Sequence, residues 1–164
     1  MIVRKPIQII KGDIAFAQED IIVQVVNCQG VMGAGVARAI RNQYLGIYRG
    51  YNLMCKTEKN KKDLLGRVHK YFYDPQKTGT PLKTVMSIFG QEFYGRDTGR
   101  VYVDYTALYA GLSEVASFAR RMKRTTAIPY GMGAGLAGGE WGRVDKMVRD
   151  LFICQYVKYY KFGE

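Results

Sequence analysis

The chain has 164 residues, 48% of them hydrophobic and 24% charged, with 25 Lys and Arg against 14 Asp and Glu for a formal net charge of +11. That length fits one domain, residues 1–164, with a core buried on both faces of a sheet, and no apolar run approaches the ~20 residues of a membrane-spanning helix. Cys28, Cys55 and Cys154 have no CxxC spacing and only His69 as a partner, which excludes a standard structural zinc site.

The first ten residues lack the apolar core and small-residue cleavage site of a secretory signal, so a cytoplasmic, monomeric protein with reduced thiols is expected. Residues 7–11 and 21–26 are short β-branched runs ended by Gly12-Asp13 and by Asn27, which predicts two strands with a loop after each. From Gly35 the apolar residues Val36, Ala39, Ile40 and Tyr44 have helical spacing, and residues 47–55 form a second short helix beyond Gly46. Residues 66–73 and 84–89 are strand-like and joined by "DPQKTGTPLK", whose Pro and Gly suit a hairpin-like connection.

Asp104 is placed to cap a helix reaching about Arg121, because Tyr105, Leu108, Leu112, Val115 and Ala119 recur at three- and four-residue intervals. Residues 125–129 read as a buried strand. Val144, Met147, Val148 and Leu151 mark a last helix before a terminal strand near 155–159. This alternation predicts an α/β fold with helices on both faces of a mostly parallel or mixed sheet. Ligands in such folds bind at the carboxyl ends of strands, and the loops after Lys11, Val26, Phe89 and Pro129 can converge there.

Two of those loops are rich in glycine. The stretch "VVNCQGVMGAGVARAI" (25–40) runs from a strand into a helix, but it has no Lys followed by Ser or Thr, and Arg38 stands where GxGxxG needs its third glycine. Neither a P-loop nor a dinucleotide fingerprint is present. The second, "YGMGAGLAGGEW", has Gly at 131, 133, 135, 138 and 139, more than a connecting turn requires. Glycine admits an anion to backbone N–H groups, and a helix N-terminus adds free donors and partial positive charge. Two such loops facing each other would clamp a pyrophosphate with backbone donors.

In order and spacing, "KGDI" (11–14), "VVNCQGVMGAGVA" (25–37), "IFGQEFYG" (88–95) and "IPYGMGAGLAGGEW" (128–141) resemble the macrodomain family of ADP-ribose binders across nearly the whole chain. The branch it resembles holds ADP-ribose-1''-phosphate phosphatases and terminal or DNA-directed ADP-ribosyl glycohydrolases. The resemblance implies a three-layer α/β/α fold with a mixed central sheet, no cofactor and no metal.

It also implies roles for particular residues. Asp13 would accept the adenine amino group with the Ile14 amide beside it, although Gly-Asp is also a common turn. Asn27 would hold hydroxyls of the distal ribose, or equally form an Asx turn. Gly33, Ala34, Gly35 and Val36 would line the distal ribose and phosphates, and Gly131, Met132, Gly133, Ala134, Gly135 and Leu136 would supply the facing loop. Tyr159 or Tyr160 would pack on adenine.

Two departures bear on activity. Lysine-dependent glycohydrolases of this family place a Lys where the chain has Gly90-Gln91, and the terminal-ribose glycohydrolase has an Asp where it has Ala137. Gln91 cannot act as an ammonium, and Ala137 cannot take a proton. Removal of the terminal phosphate from ADP-ribose-1''-phosphate asks less of side chains, with Asn27 and Gln91 orienting water as the catalytic pair. A non-catalytic ADP-ribose sensor is the alternative. A nucleic-acid module using the positive charge is a third reading, secondary because the basic residues are dispersed apart from "KTEKNKK" and "RRMKR". Cys28 lacks the phosphate loop of cysteine phosphatases and is expected to be a packed residue, as is His69.

Overall fold

The computed structural model of the chain describes residues 6–163. Its elements run β1 (Gln8–Lys11), β2 (Ile21–Asn27), α1 (Gly35–Gln43), α2 (Ile47–Thr57), β3 (Val68–Tyr73), β4 (Lys83–Gln91), α3 (Tyr105–Met122), β5 (Thr126–Pro129), α4 (Trp141–Leu151) and β6 (Val157–Lys161). The six strands form one sheet in the order β1-β6-β5-β2-β4-β3. All neighbours are parallel except β3, which returns antiparallel to β4 through the hairpin-like connection the sequence predicts.

β2 and β4 are central and covered on both faces, which is why they read as continuous apolar runs rather than as alternating ones. Ile21 and Val23, with Met86 and Ile88, pack under α3 and α4, whereas Ile22 and Val26, with Val85 and Phe89, pack under α1 and α2. The three-layer α/β/α arrangement with a mixed central sheet follows from those two cores. The buried polar pair on the α1/α2 face is bonded to itself, Gln24 Nε2 donating to Ser87 Oγ at 2.8 Å, while Gln24 Oε1 is buried without a partner among the described residues.

Helix α3 starts where Asp104 predicts: its Oδ1 accepts the Ala107 amide at 3.0 Å. It lies close to the sheet because position 111 has no side chain, and a Cβ there would stand 2.1 Å from Ile88 Cγ2. His69 on β3 is half-buried against Gly50 of α2, where burial lowers its pKa. No helix among the described residues is long and apolar enough to cross a membrane.

Most boundaries shift by one to three residues from the sequence reading, β4 reaching Lys83–Gln91, and three differences have a local cause. β2 runs one residue further, to Asn27, through a register irregularity that pairs Asn27 with Gln91. The terminal strand is Val157–Lys161 instead of 155–159, since Gln155 turns away to donate from Nε2 to the Ala116 carbonyl. Short 3-10 turns at Ile14–Phe16 and Lys61–Leu64 are too brief to leave a periodic signal.

Candidate functional site

A cleft of about 680 Å³ opens at the carboxyl ends of β5, β2 and β4. Its walls come from residues 31–37, from residues 129–137, and from Gln91 with residues 94–96. Three of the four converging loops therefore meet in one cavity, as parallel-sheet geometry requires.

The first wall is held from behind. Asn27 Oδ1 accepts the amides of Gln29 (3.0 Å) and Val31 (3.3 Å), and its Nδ2 donates to the Val31 carbonyl at 2.8 Å. The buried hydroxyl of Tyr51, on α2, lies 2.9 Å from that Oδ1 and 2.7 Å from the Asn27 carbonyl. Tyr48 Oη and Asn52 Nδ2, also on α2, donate to the Gly30 carbonyl. Asn27 lines the cleft but spends its oxygen on the loop, leaving one amide N–H to offer a ligand.

The loop then delivers the N-terminus of α1. Ala34 is the N-cap and supplies no side-chain acceptor, so the first-turn amides face the cleft without a partner from their own cap. Gly35 opens the helix at φ +57°, a conformation that demands glycine. Gly33 is under no such demand: a Cβ there would meet only Val31 Cγ1, at 3.7 Å.

The facing loop is stiffened by its own hydrogen bonds. The Met132 amide donates to Pro129, that of Ala134 to Gly131, that of Gly138 to Gly135 and that of Gly139 to Gly133, while the Ala137 carbonyl accepts from Tyr102 and Val103. Among the described residues the chain offers no acceptor to the amides of Gly131, Gly133, Gly135 or Leu136. The sequence-predicted Gly131, Met132, Gly133, Gly135 and Leu136 all line the cleft, whereas Ala134 does not.

Arg96 is the one charged side chain among the described lining residues, which include no carboxylate, imidazole, thiol or amine. The field in the cleft therefore favours an anion, from Arg96, from free amides and from the α1 dipole. Gln91 lines the cleft with its Nε2 donating to the Phe93 carbonyl at 2.8 Å, which presents its side-chain oxygen as the free group. At Gly90 a Cβ would lie 2.9 Å from Val25 Cγ1, so that position does not carry a side chain easily. Cys28 is fully buried, and burial first, with Cys55 and Glu92 adding to it, pushes its thiol up to about 12. It is a packed residue and not a nucleophile at neutral pH.

Asp13 and Ile14 lie outside that lining. Asp13 Oδ1 accepts the Ala15 amide at 2.9 Å and so caps a 3-10 turn, and the Ile14 side chain is buried. They follow β1, two strands beyond β5 and hence ~10 Å along the same edge of the sheet. Tyr159 is 2% exposed, bonded to Asp145 Oδ1 at 2.6 Å and packed edge-on against Trp141, so it is a core residue and not an adenine platform. Tyr160 is tied to Glu19 Oε1 at 2.5 Å. The free late aromatic is Phe162, 78% exposed just past the end of β6, where the Gly12 amide donates to the Lys161 carbonyl.

No family model matches the chain. Among solved structures, the macrodomain of Thermus aquaticus DarG superposes with a TM-score of 0.74 over 97% of this chain and 99% of that one, at 20% identity. This is the macrodomain fold. Thermosipho africanus DarTG, solved in complex with ADP-ribose, matches 94% of this chain and 41% of its own chain with a TM-score of 0.72 and 19% identity. In sequence, a DNA ADP-ribosyl glycohydrolase of Mycobacterium tuberculosis is 23% identical over 141 residues, 86% of this chain. The chain spans only 37% of the length of that curated relative.

Sequence reasoning missed Arg96 and Tyr94 at this site. Both fall in "EFYGRDTGR", where glycine punctuation marks a loop but does not say which side chains turn inward.

Proposed function

We propose that this macrodomain binds ADP-ribose-type nucleotides, with the diphosphate between the start of α1 and the 131–136 loop. The observation that supports this is the pair of unpartnered amide sets facing one another across a cleft whose one charged lining residue is Arg96. Backbone N–H groups at a helix start and in a glycine loop bind anions without competing side chains. The adenine then lies along the sheet edge toward β6 and β1, against Phe162, with the free oxygen of Asp13 accepting its amino group and the Ile14 amide beside it. Calorimetry with ADP-ribose tests the reading. Asp13→Ala should weaken binding by ~1–3 kcal/mol through loss of a charge-assisted bond, and a parent protein that takes up no ADP-ribose would sink it.

A second reading, hydrolysis of an ADP-ribose derivative, is favoured by the activity in the name of the mycobacterial relative and by Gln91, whose oriented side-chain oxygen can position water at the distal end of the cleft. With no carboxylate or amine in the lining, the reaction that asks least of side chains is release of the terminal phosphate from ADP-ribose-1''-phosphate, where Arg96 and fixed amides stabilise the departing charge. Asn27 contributes one N–H and the position of the loop. Separate measurement of phosphate and ADP-ribose release from ADP-ribose-1''-phosphate and from ADP-ribosylated DNA and protein distinguishes these reactions. No release from any of them leaves a binding module.

A further inference from the structure

The ladder between β1 and β6 ends in two lysines. Lys11 and Lys161 are register partners in adjacent parallel strands, so their side chains leave the same face of the sheet from backbones about 5 Å apart. At the other end of the same ladder the partner of Lys158 is Gln8, whose Oε1 accepts from the Lys158 ammonium. At the cleft end two cations stand side by side instead, an arrangement that costs a sheet stability. Both are exposed, and among the described residues neither has a carboxylate partner, whereas Lys70 pairs with Glu114 and Lys146 with Asp150. Lys161 Nζ lies 5.2 Å from the ring centroid of Tyr130, which lines the cleft next to the glycine loop. On the other side the Gly12 amide donates to the Lys161 carbonyl at 3.0 Å, and Asp13 follows.

We infer that Lys11 and Lys161 select a nucleotide carrying a phosphomonoester on its adenosine ribose, at the 2' or the 3' oxygen. The inference rests on the nucleotide reading of the cleft. With the diphosphate at the 131–136 loop and the adenine toward β1, the ribose that joins them crosses the ends of β5 and β6, beside Lys161. A ribose hydroxyl there would offer two ammonium groups one neutral acceptor. A phosphomonoester brings a charge of about −2 and three acceptor oxygens, enough to bridge both lysines and to remove their mutual repulsion. The carboxylates set around these strands are already committed: Asp145 to Tyr159 and Arg149, Glu19 to Tyr156 and Tyr160, and Asp13 Oδ1 to the Ala15 amide. The positive charge at the end of the ladder therefore stays available to a ligand.

The test is calorimetry with ADP-ribose and its 2'-phosphate, and with AMP against adenosine 2',5'-bisphosphate and adenosine 3',5'-bisphosphate to tell the two oxygens apart. The favoured phosphorylated form should bind roughly tenfold or more tighter than its unphosphorylated counterpart, an advantage that shrinks as salt rises. Lys11→Gln with Lys161→Gln should bring that ratio below about twofold, because glutamine keeps a polar side chain and loses the charge. Lys59→Gln with Lys62→Gln removes the same charge from the exposed loop after α2 and should leave the ratio at its parental value. The inference is overturned if neither ribose phosphate improves on its counterpart, if the β1/β6 variant keeps the parental ratio, or if the loop variant loses as much. A parent that binds ADP-ribose without favouring a phosphorylated form refutes the lysine pair alone. A parent that binds none of these nucleotides refutes the cleft reading with it.

Discussion

Tyr51→Phe removes one oxygen from the middle of the protein and leaves the ring contacts with Phe89 and Tyr48 in place. The lost hydroxyl lies within hydrogen-bond distance of two acceptors on Asn27, and it stays protonated at any workable pH because burial raises its pKa. Asn27 Oδ1 keeps the amides of Gln29 and Val31, so the larger cost falls on the Asn27 carbonyl, a buried acceptor deprived of that donor. Such a loss costs about 1–3 kcal/mol, a sizeable part of the ~5–15 kcal/mol that holds a domain together. With a urea dependence of about 2 kcal/mol/M, the unfolding midpoint should fall by roughly 0.5–1.5 M. ADP-ribose affinity should also drop, since the latch fixes the loop that leads into α1. An unchanged urea midpoint for Tyr51→Phe would refute the latch.

The two glycines of the first wall should separate folding from binding. Gly33→Val should abolish ADP-ribose binding with near-parental stability, whereas Gly35→Val should itself destabilise by about 1–3 kcal/mol because of its positive φ, as thermal melts and calorimetry on both will show. Asn27→Ala should lower stability and affinity together, not turnover alone, because it removes the side chain that ties residues 29 and 31; a stable, tight-binding but inactive variant would contradict this. Of the three thiols, Cys154 should react with Ellman's reagent at pH 8 in the native protein and Cys28 and Cys55 only in denaturant, Cys28 because its thiol is raised to about 12. His69 is the chain's one histidine, and its pKa is lowered in the folded state. Its contribution is full above the unfolded value near 6.5 and is lost as pH falls below it, so stability should decline from about pH 7 downward and His69→Leu should flatten that decline.

The order of elements was legible because β2 and β4 read as continuous apolar runs, α3 carries an unbroken helical period and Asp104 announces its helix. The convergence of loops on one cleft followed from strand direction alone. What was not legible are contacts between residues distant along the chain. Tyr51 is one of 13 tyrosines, and nothing local marks it as the partner of Asn27, 24 residues earlier. Likewise the Tyr102 and Val103 amides that pin Ala137 come from a loop whose sequence suggests only flexibility. Tyr159 looked available for adenine until strand alternation placed it under Trp141 and left Tyr160 on the opposite face.

The missing cap on α1 has a consequence for exchange with solvent. Ala34 closes the helix with no side-chain acceptor, so water must serve the first-turn amides until a phosphate takes its place. A nucleotide in the cleft would then complete a secondary-structure element as well as occupy a cavity. Amide protons at residues 35–37 should trade for deuterium quickly in the free protein and slow sharply once ADP-ribose is added, while those in the middle of α3, capped by Asp104, should hardly respond.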